Sequence, residues 1–184
     1  ASLGVQIWVL DRPNPLGGAV TEGSSQRPGY RSFVGLYDVS VRHGMTLGEL
    51  CTRVRRLEGI DAQLLAVVPL SGWRRQMLFR DTGLPWVLPS PNMPSESTAR
   101  VYPGGCLLEA TNLSEGRGTT RPFEIWGAPF LDGRLLAERL LAERPPVKGA
   151  LLRPLEFRPV FHKHAGQRCG GLQVHVTDAR LFRP

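Results

Sequence analysis

The chain has almost no lysine: of its 23 basic residues only Lys148 and Lys163 are lysines, and the others are arginines. A nucleic-acid-binding surface gathers positive charge into a patch, stripe or tail. Here the arginines are scattered, with Arg53/Arg55/Arg56 and Arg74/Arg75 the tightest groups, and no RNA-binding aromatic motif accompanies them. The net charge of +7 therefore points to a general attraction for polyanions, such as a cell-wall polymer, more than to nucleic acid. A GC-rich coding bias explains the preference for arginine most simply. Cysteine is also scarce. Cys51, Cys106 and Cys169 are an odd set with no C-x-x-C pair, which excludes a disulfide framework. Cys106 and Cys169 can pair only in an oxidising compartment, and three buried free thiols is the simpler expectation. No apolar run is long enough to cross a bilayer. Residues 1–10 lack the basic start and cleavage pattern of a signal peptide. A strand-like run begins so early that the sequence reads as a piece of something longer. Repeats of solenoid length, P-loop spacing and H-E-x-x-H are all missing.

What is present is an ordinary globular composition. The 184 residues are 41% hydrophobic, enough for one domain or parts of two around a real core. The 16 prolines and 21 glycines predict many turns and long loops. Val5 to Leu10 reads as a buried strand, with Asp11 onward as the loop at its C-terminal end, the end at which open α/β sheets bind ligands. Residues 19–44 are irregular, with one candidate strand at Ser32 to Leu36. A helix is expected from Thr46, whose spacing to Glu49 fits a capping box. Its apolar face is Leu47, Leu50, Val54 and Leu57, and Gly59 is its stop. Leu64 to Val68 is a second buried strand. This strand–helix–strand order predicts a mixed α/β fold. A domain boundary is expected near Pro85 to Pro89, giving units 1–85 and 86–184. In the second unit, Asp132 caps a helix over Gly133 to Glu143 with the stripe Leu135, Leu136, Leu140 and Leu141, and Pro145-Pro146 ends it. Strands are expected at Phe157 to Phe161 and Gly171 to Val176.

The segment from Glu109 to Glu124 (EATNLSEGRGTTRPFE) carries the most chemistry. Its hydroxyls, amides, carboxylates and guanidinium groups make a poor core and a poor linker, but suit a surface that grips a polar ligand. Gly116 and Gly118 let the backbone approach closely, Thr119 and Thr120 add hydroxyls, and Arg117 and Arg121 can fork onto a carboxylate. The alternative is a well-ordered surface turn. Two other polar loops follow apolar runs, Asp11 to Gly18 and Pro89 to Pro94, so one site assembled from three loops is expected. Glu109, Glu115, Glu124 and Asp11 are candidates for the carboxyl pair of glycoside hydrolysis, each weighed against a salt bridge to an arginine. His162 and His164, two apart, would share one face of a strand and could chelate a metal, although no acidic third ligand supports that. His43 precedes the first helix and can reach a ligand at its N-terminus. Trp86 and Trp126 are candidate sugar platforms, with core packing the commoner use of tryptophan.

Taken in order, these segments resemble one family. Val9 to Gly18, Ser32 to Gly35, Arg42 to Leu50, Gly83 to Pro94, Val101 to Gly104, Thr111 to Glu124, Gly127 to Pro129 and the tail from Gly170 to Asp178 are similar to the NamZ-type exo-acting β-N-acetylmuramidases, once filed as a domain of unknown function. The resemblance covers nearly the whole chain and matches the middle portion of the family. It implies a Rossmann-like N-terminal domain, of which this chain holds the C-terminal part, followed by a smaller α+β domain, with the active site in the cleft between them. It implies a bacterial glycoside hydrolase that removes N-acetylmuramic acid from the non-reducing end of peptidoglycan fragments, secreted or periplasmic, with no metal or organic cofactor. The family's Pro-Glu-His-Gly motif, a leading source of the catalytic acid, is missing here, and Ala110 stands where glycine is usual. On this reading Glu115, then Glu109, are the candidate catalytic residues. Asp11, Arg12, Asn14, His43, Asn92, Asn112, Arg117, Thr119 and Arg121 are the candidate substrate-binding residues. Arg12, Arg117 or Arg121 would clamp the lactyl carboxylate, and the asparagines would read the amide and hydroxyls. A non-catalytic muropeptide-binding module and a basic nucleic-acid binder are the alternatives.

Overall fold

The computed structural model describes residues 3–143 and 147–184. The chain divides into two compact units, Ala1–Pro85 and Trp86–Pro184, with mixed helix and strand in both.

In the first unit, β1 (Ile7–Leu10) pairs in parallel with β2 (Leu65–Val68), Ile7 opposite Leu65 and Leu10 opposite Val68. Helix α1 (Leu47–Leu57) lies between them in sequence and packs on both strands. Its start is fixed by the expected capping box: the Thr46 hydroxyl accepts from the Glu49 N–H, and the Glu49 carboxylate accepts from the Thr46 N–H. The strands are shorter and more open than their apolar sequences predict. Ile7, Trp8 and Leu10 are each more than half exposed, and only Val9 is buried. Two strands and one helix cover little of each other. Along α1 it is Leu50, Cys51 and Val54 that turn inward, while Leu47 and Leu57 are exposed. The expected strand at Ser32 to Leu36 is instead a tight turn, closed by reciprocal Ser32–Gly35 backbone hydrogen bonds.

The second unit is built on an antiparallel sheet in the order β3 (Ile125–Ala128), β5 (Cys169–Val176), β4 (Ala150–Phe157). Strand β4 runs where no strand is expected and stops at Phe157, so the expected strand over 157–161 is a loop. Pro154 masks β4 in the sequence. It is tolerated because β4 is an edge strand and one side of its backbone needs no partner. The sequence does not mark helix α2 (Glu96–Gly105) either. Its Ser95 cap is legible, but Pro103, Gly104 and Gly105 disguise its last turn. Helix α3 (Gly133–Glu143) starts as expected, with Asp132 Oδ1 accepting from the Arg134 and Leu135 N–H groups. Its inward face is Leu136, Ala137 and Leu140, whereas Leu135 and Leu141 are exposed. Pro145-Pro146 lies outside the described residues. The core joins Val101, Phe123 and Phe182, flanked by Tyr102, Ala150, Val174 and Val176. The three cysteines are free, and of them only Cys169 is buried. Among the described residues no helix is long and apolar enough to cross a membrane.

Candidate active site

The polar loop of the second unit is tied down over its whole length. Ser114 exchanges two backbone hydrogen bonds with Gly127 of β3, at 2.8 and 3.0 Å, and the Phe123 N–H donates to the Glu115 carbonyl at 2.6 Å. Gly116 and Gly118 both have φ of +81°. A Cβ on Gly118 would lie 2.5 Å from the Phe161 carbonyl oxygen, so the loop rests directly on the backbone that follows β4. Val160 seals this contact by donating to the Gly118 carbonyl at 2.9 Å. The non-glycine residues with positive φ, among those described, are Phe123, His162 and His164, and all three belong to this contact. Histidine tolerates that region better than most residues. A bulky phenylalanine there costs about 1–2 kcal/mol, which the surrounding packing must offset.

Glu115 sits at the centre, 0% exposed. Its Oε1 lies 3.3 Å from Arg117 Nε and 3.2 Å from His162 Nδ1, and its Oε2 lies 3.2 Å from Lys163 Nζ. Neither oxygen receives a well-aligned hydrogen bond. A carboxylate without solvent is costly unless cations compensate it, and Arg117 and Lys163 supply that compensation. Lys163 is itself held by three carbonyls: its ammonium donates to Leu108, Glu109 and Leu113 at 3.1, 2.9 and 3.1 Å. Arg117 donates through Nε and Nη2 to Glu109 Oε1 at 3.1 and 2.6 Å, and its guanidinium lies 5.0 Å from the centre of the Phe123 ring. His162 is the open member, 48% exposed.

The other candidate residues of this unit divide into committed and free. Glu109 is exposed but paired with Arg117, so Arg117 already serves two carboxylates. Thr119 donates to the Gly116 carbonyl and accepts from the Arg121 N–H, holding the turn together. Glu124 is buried and accepts from Thr98 Oγ1 at 2.6 Å, linking the loop to α2. Arg121 is half exposed and only 3.5 Å from Glu124, the freer of the two arginines. Asn112 is exposed, and its backbone carbonyl meets His164 Nε2 at 2.7 Å. Asn92 is half-buried in a turn closed by Met93 N–H on the Ser90 carbonyl. Trp86 donates to the Met93 carbonyl at 3.1 Å. Trp126 lines an apolar hollow of about 590 Å³ with Leu140 and Val174. His162 and His164 are not on a strand. Their left-handed turn sends one ring to Glu115 and the other to Asn112. Among the described residues no three His, Cys, Asp or Glu side chains are grouped to hold a metal.

In the first unit, Asp11 stands at the end of β1 and grips the start of α1. Its Oδ1 accepts from the Gly48 N–H at 2.7 Å and its Oδ2 from the Thr46 hydroxyl at 2.8 Å. Gly48 has no room for a side chain, since a Cβ would lie 2.6 Å from Val67 Cγ1. Asn14 bridges the same segments, donating to the Met45 carbonyl and accepting from the Leu16 N–H, each at 2.9 Å. His43 Nδ1 accepts from the Met45 N–H at 3.0 Å, so in the neutral ring the proton sits on Nε2. Burial pushes the His43 pKa down. Arg12 is exposed. Asp11, Met45, Gly48, Glu49 and Thr52 line a hollow of about 640 Å³.

The sequence singles out Glu115 as a candidate but does not show what surrounds it. Lys163 carries no motif beyond being one of two lysines, and the spacing of His162 to His164 suggests either a metal ligand or a solvated or hydrogen-bonded histidine, with no sign of which partner it meets. Their role depends on a turn whose left-handed residues are not glycines, and no local pattern announces that.

Residues 1–97 match the family model described as exo-β-N-acetylmuramidase NamZ, N-terminal, and residues 100–184 match the C-terminal one. The peptidoglycan β-N-acetylmuramidase NamZ of Bacillus subtilis (strain 168) is 50% identical over 179 residues, covering 97% of this chain and 42% of the relative. Two crystal structures of DUF1343-family proteins from Bacteroides fragilis NCTC 9343 are also similar. One has a TM-score of 0.86 at 32% identity, covering 97% of this chain and 46% of the other. The second has a TM-score of 0.73 at 30% identity, covering 94% and 45%. The chain thus spans less than half the length of each of these relatives.

Proposed function

The chain belongs to the exo-β-N-acetylmuramidase NamZ family, and we propose on that premise that it serves to release N-acetylmuramic acid from the non-reducing ends of peptidoglycan fragments. The observation that carries this is the half-identity to the Bacillus protein across 97% of the chain, which includes all three polar loops. We read the first unit as the C-terminal part of a Rossmann-like domain. Its parallel β1–β2 pair with α1 between them in sequence supports that reading. The expected place of action is outside the cytoplasm, where polymeric peptidoglycan lies.

The substrate carries a lactyl carboxylate, an acetamido group and hydroxyls. Arg121 and Arg12 are the arginines exposed enough to meet the carboxylate in a charge-assisted pair. In the second unit Arg117 and Thr119 hold the loop in shape, and Asn92 and Asn112 offer polar atoms to the sugar; in the first unit Asp11 and Asn14 hold their own segment in shape, and His43 is its candidate for a polar ligand. Glu115 is assigned electrostatic and positioning work, because a fully buried carboxylate does not touch a bound sugar. Glu109 is the exposed carboxylate of the pair and the candidate for direct contact.

A second reading has one observation in its favour. Both in-chain candidates for the acid are engaged by basic side chains: Glu109 by Arg117, and Glu115 by Arg117 and Lys163, with His162 beside it. That suits a unit that binds and orients muramic acid without supplying the proton. A chromogenic β-glycoside of N-acetylmuramic acid separates the readings. Release of the chromophore, absent with the matching N-acetylglucosamine glycoside, supports the muramidase. Calorimetric binding of the muramic acid glycoside without release supports the binding module. Neither release nor binding by folded protein rejects both.

A further inference from the structure

We infer that His162 is a substrate-contacting residue, its outward Nε2 accepting a hydrogen bond from an O–H or N–H group of the amino sugar, and that buried Glu115 is the positioning residue that fixes its tautomer. The inference rests on the muramidase reading and deepens it.

Two independent observations meet at this histidine. The first is Glu115, fully buried yet without an aligned hydrogen bond at either oxygen. A native structure rarely leaves a buried carboxylate so, and such groups need an explanation. Lys163 does not supply it, because its three donors are directed at the carbonyls of Leu108, Glu109 and Leu113. Arg117 does not supply it fully, because its Nε and Nη2 are directed at Glu109. The neighbour not directed elsewhere is His162 Nδ1, which lies 3.2 Å from Glu115 Oε1, within reach though not aligned as a hydrogen bond. The second observation is the backbone. His162 has φ of +68°, His164 +57° and Phe123 +63°, all in the contact around Glu115. Uncommon conformations concentrated at one place mark a geometry that the surrounding packing over-determines, and such places are often functional.

The chemistry follows from the pairing. A carboxylate accepts only, so the nitrogen beside it carries the proton, and Nδ1–H facing Glu115 leaves Nε2 of the neutral ring as an acceptor. Among the described residues, Nε2 of His162 has no hydrogen-bond partner, and the side chain is half exposed. A carboxylate that fixes an imidazole from behind is the logic by which catalytic and metal-binding histidines are oriented. Here the half-exposed side chain leaves the second ring nitrogen open to a polar ligand. The two cationic groups beside Glu115, Arg117 and Lys163, also account for its burial next to a neutral His162.

The test uses the full-length protein with imidazole nitrogens labelled by 15N. The expected spectrum at pH 7.5 shows His162 with Nδ1 protonated and Nε2 bare. Methyl β-N-acetylmuraminide should then shift the His162 Nε2 resonance and leave that of exposed His175 in place. His162→Asn is the functional variant, since asparagine also accepts left-handed φ and keeps the turn. It should retain the melting temperature and lose about 10–100-fold in kcat/KM, the effect of one hydrogen bond left unmade in a site built for it. Glu115→Gln should lose a similar factor and shift the His162 tautomer. The double variant should fall no further than the worse single one, because the two residues act as a unit. A His162 protonated on Nε2 overturns the inference, as does a folded His162→Asn protein that turns over within twofold of wild type. A wild type that releases no N-acetylmuramic acid refutes the muramidase reading, and the sugar contact falls with it. The tautomer measurement still decides the Glu115–His162 pairing.

Discussion

Replacing Lys163 with methionine removes one cation from beside Glu115 and three charged hydrogen bonds from the loop, while keeping the length of the side chain. Losing one partner of a buried ion pair costs about 3–5 kcal/mol, because the other charge is left without compensation. Two features reduce that figure here. Lys163 is 22% exposed, and Glu115 keeps Arg117 at 3.3 Å. Against them stand the carbonyls of Leu108, Glu109 and Leu113, which lose their donor and must find water. The expected loss is therefore about 2–4 kcal/mol. For a cooperative unit of roughly this size each kcal/mol moves the midpoint by about 4–8 °C, so a drop of roughly 8–30 °C is expected. Calorimetry and urea melts of the same preparation measure it. Lys148→Met is the internal control. Lys148 is exposed, and its replacement should change stability by less than about 0.5 kcal/mol, as surface changes usually do. Adding Glu115→Gln to Lys163→Met should recover part of the loss, since a neutral amide needs no cation. A Lys163→Met protein within about 1 kcal/mol of wild type, or a double variant less stable than the single by the full sum, would refute the account of Glu115 as a compensated buried charge.

Three further outcomes are expected. Gly118→Ala should destabilise the second unit by about 2–4 kcal/mol, combining an unfavourable positive φ with a Cβ 2.5 Å from the Phe161 oxygen; a melt unchanged within 1 kcal/mol would show that the loop does not rest on that backbone. His43 has its folded pKa lowered by burial, so its contribution to stability is present above about pH 6.5, the usual histidine value, and is lost as pH falls through the lowered folded value. Midpoints recorded from pH 7.5 down to 5 should fall less steeply in His43→Gln, and identical slopes would contradict the burial. Burial also raises the thiol pKa of Cys106 and of Cys169, so both should alkylate with iodoacetamide more slowly than a free cysteine at pH 7.5. Mass spectrometry of timed samples reads this, and full early labelling of Cys106 would contradict it.

Where a local rule decides structure, the sequence is informative. Thr46 and Glu49 announce the start of α1, Asp132 that of α3, and both caps form as their spacing predicts. The central strand β5 is legible as a run because half of its residues, among them Leu172 and Gln173, are buried. Where tertiary context overrides a local rule, the sequence misleads. Pro154 argues against β4, yet an edge position tolerates it. Val5 to Leu10 looks like a buried strand, but apolar composition does not reveal how much structure will cover it. The candidate site follows the same division. Glu115 and its glycine-rich loop stand out in the sequence by composition. Lys163 and His162 lie about fifty residues away, and only the left-handed turn at 162–164 brings them to the carboxylate.

The central claim is exo-acting release of N-acetylmuramic acid, and two isomeric disaccharides test it most directly. The full-length protein is incubated separately with N-acetylmuramic acid β-1,4-linked to N-acetylglucosamine, and with N-acetylglucosamine β-1,4-linked to N-acetylmuramic acid. Mass spectrometry follows the products. Cleavage of the first and not of the second is the predicted result. Cleavage of the second alone, or of neither by protein shown to be folded, would contradict the account.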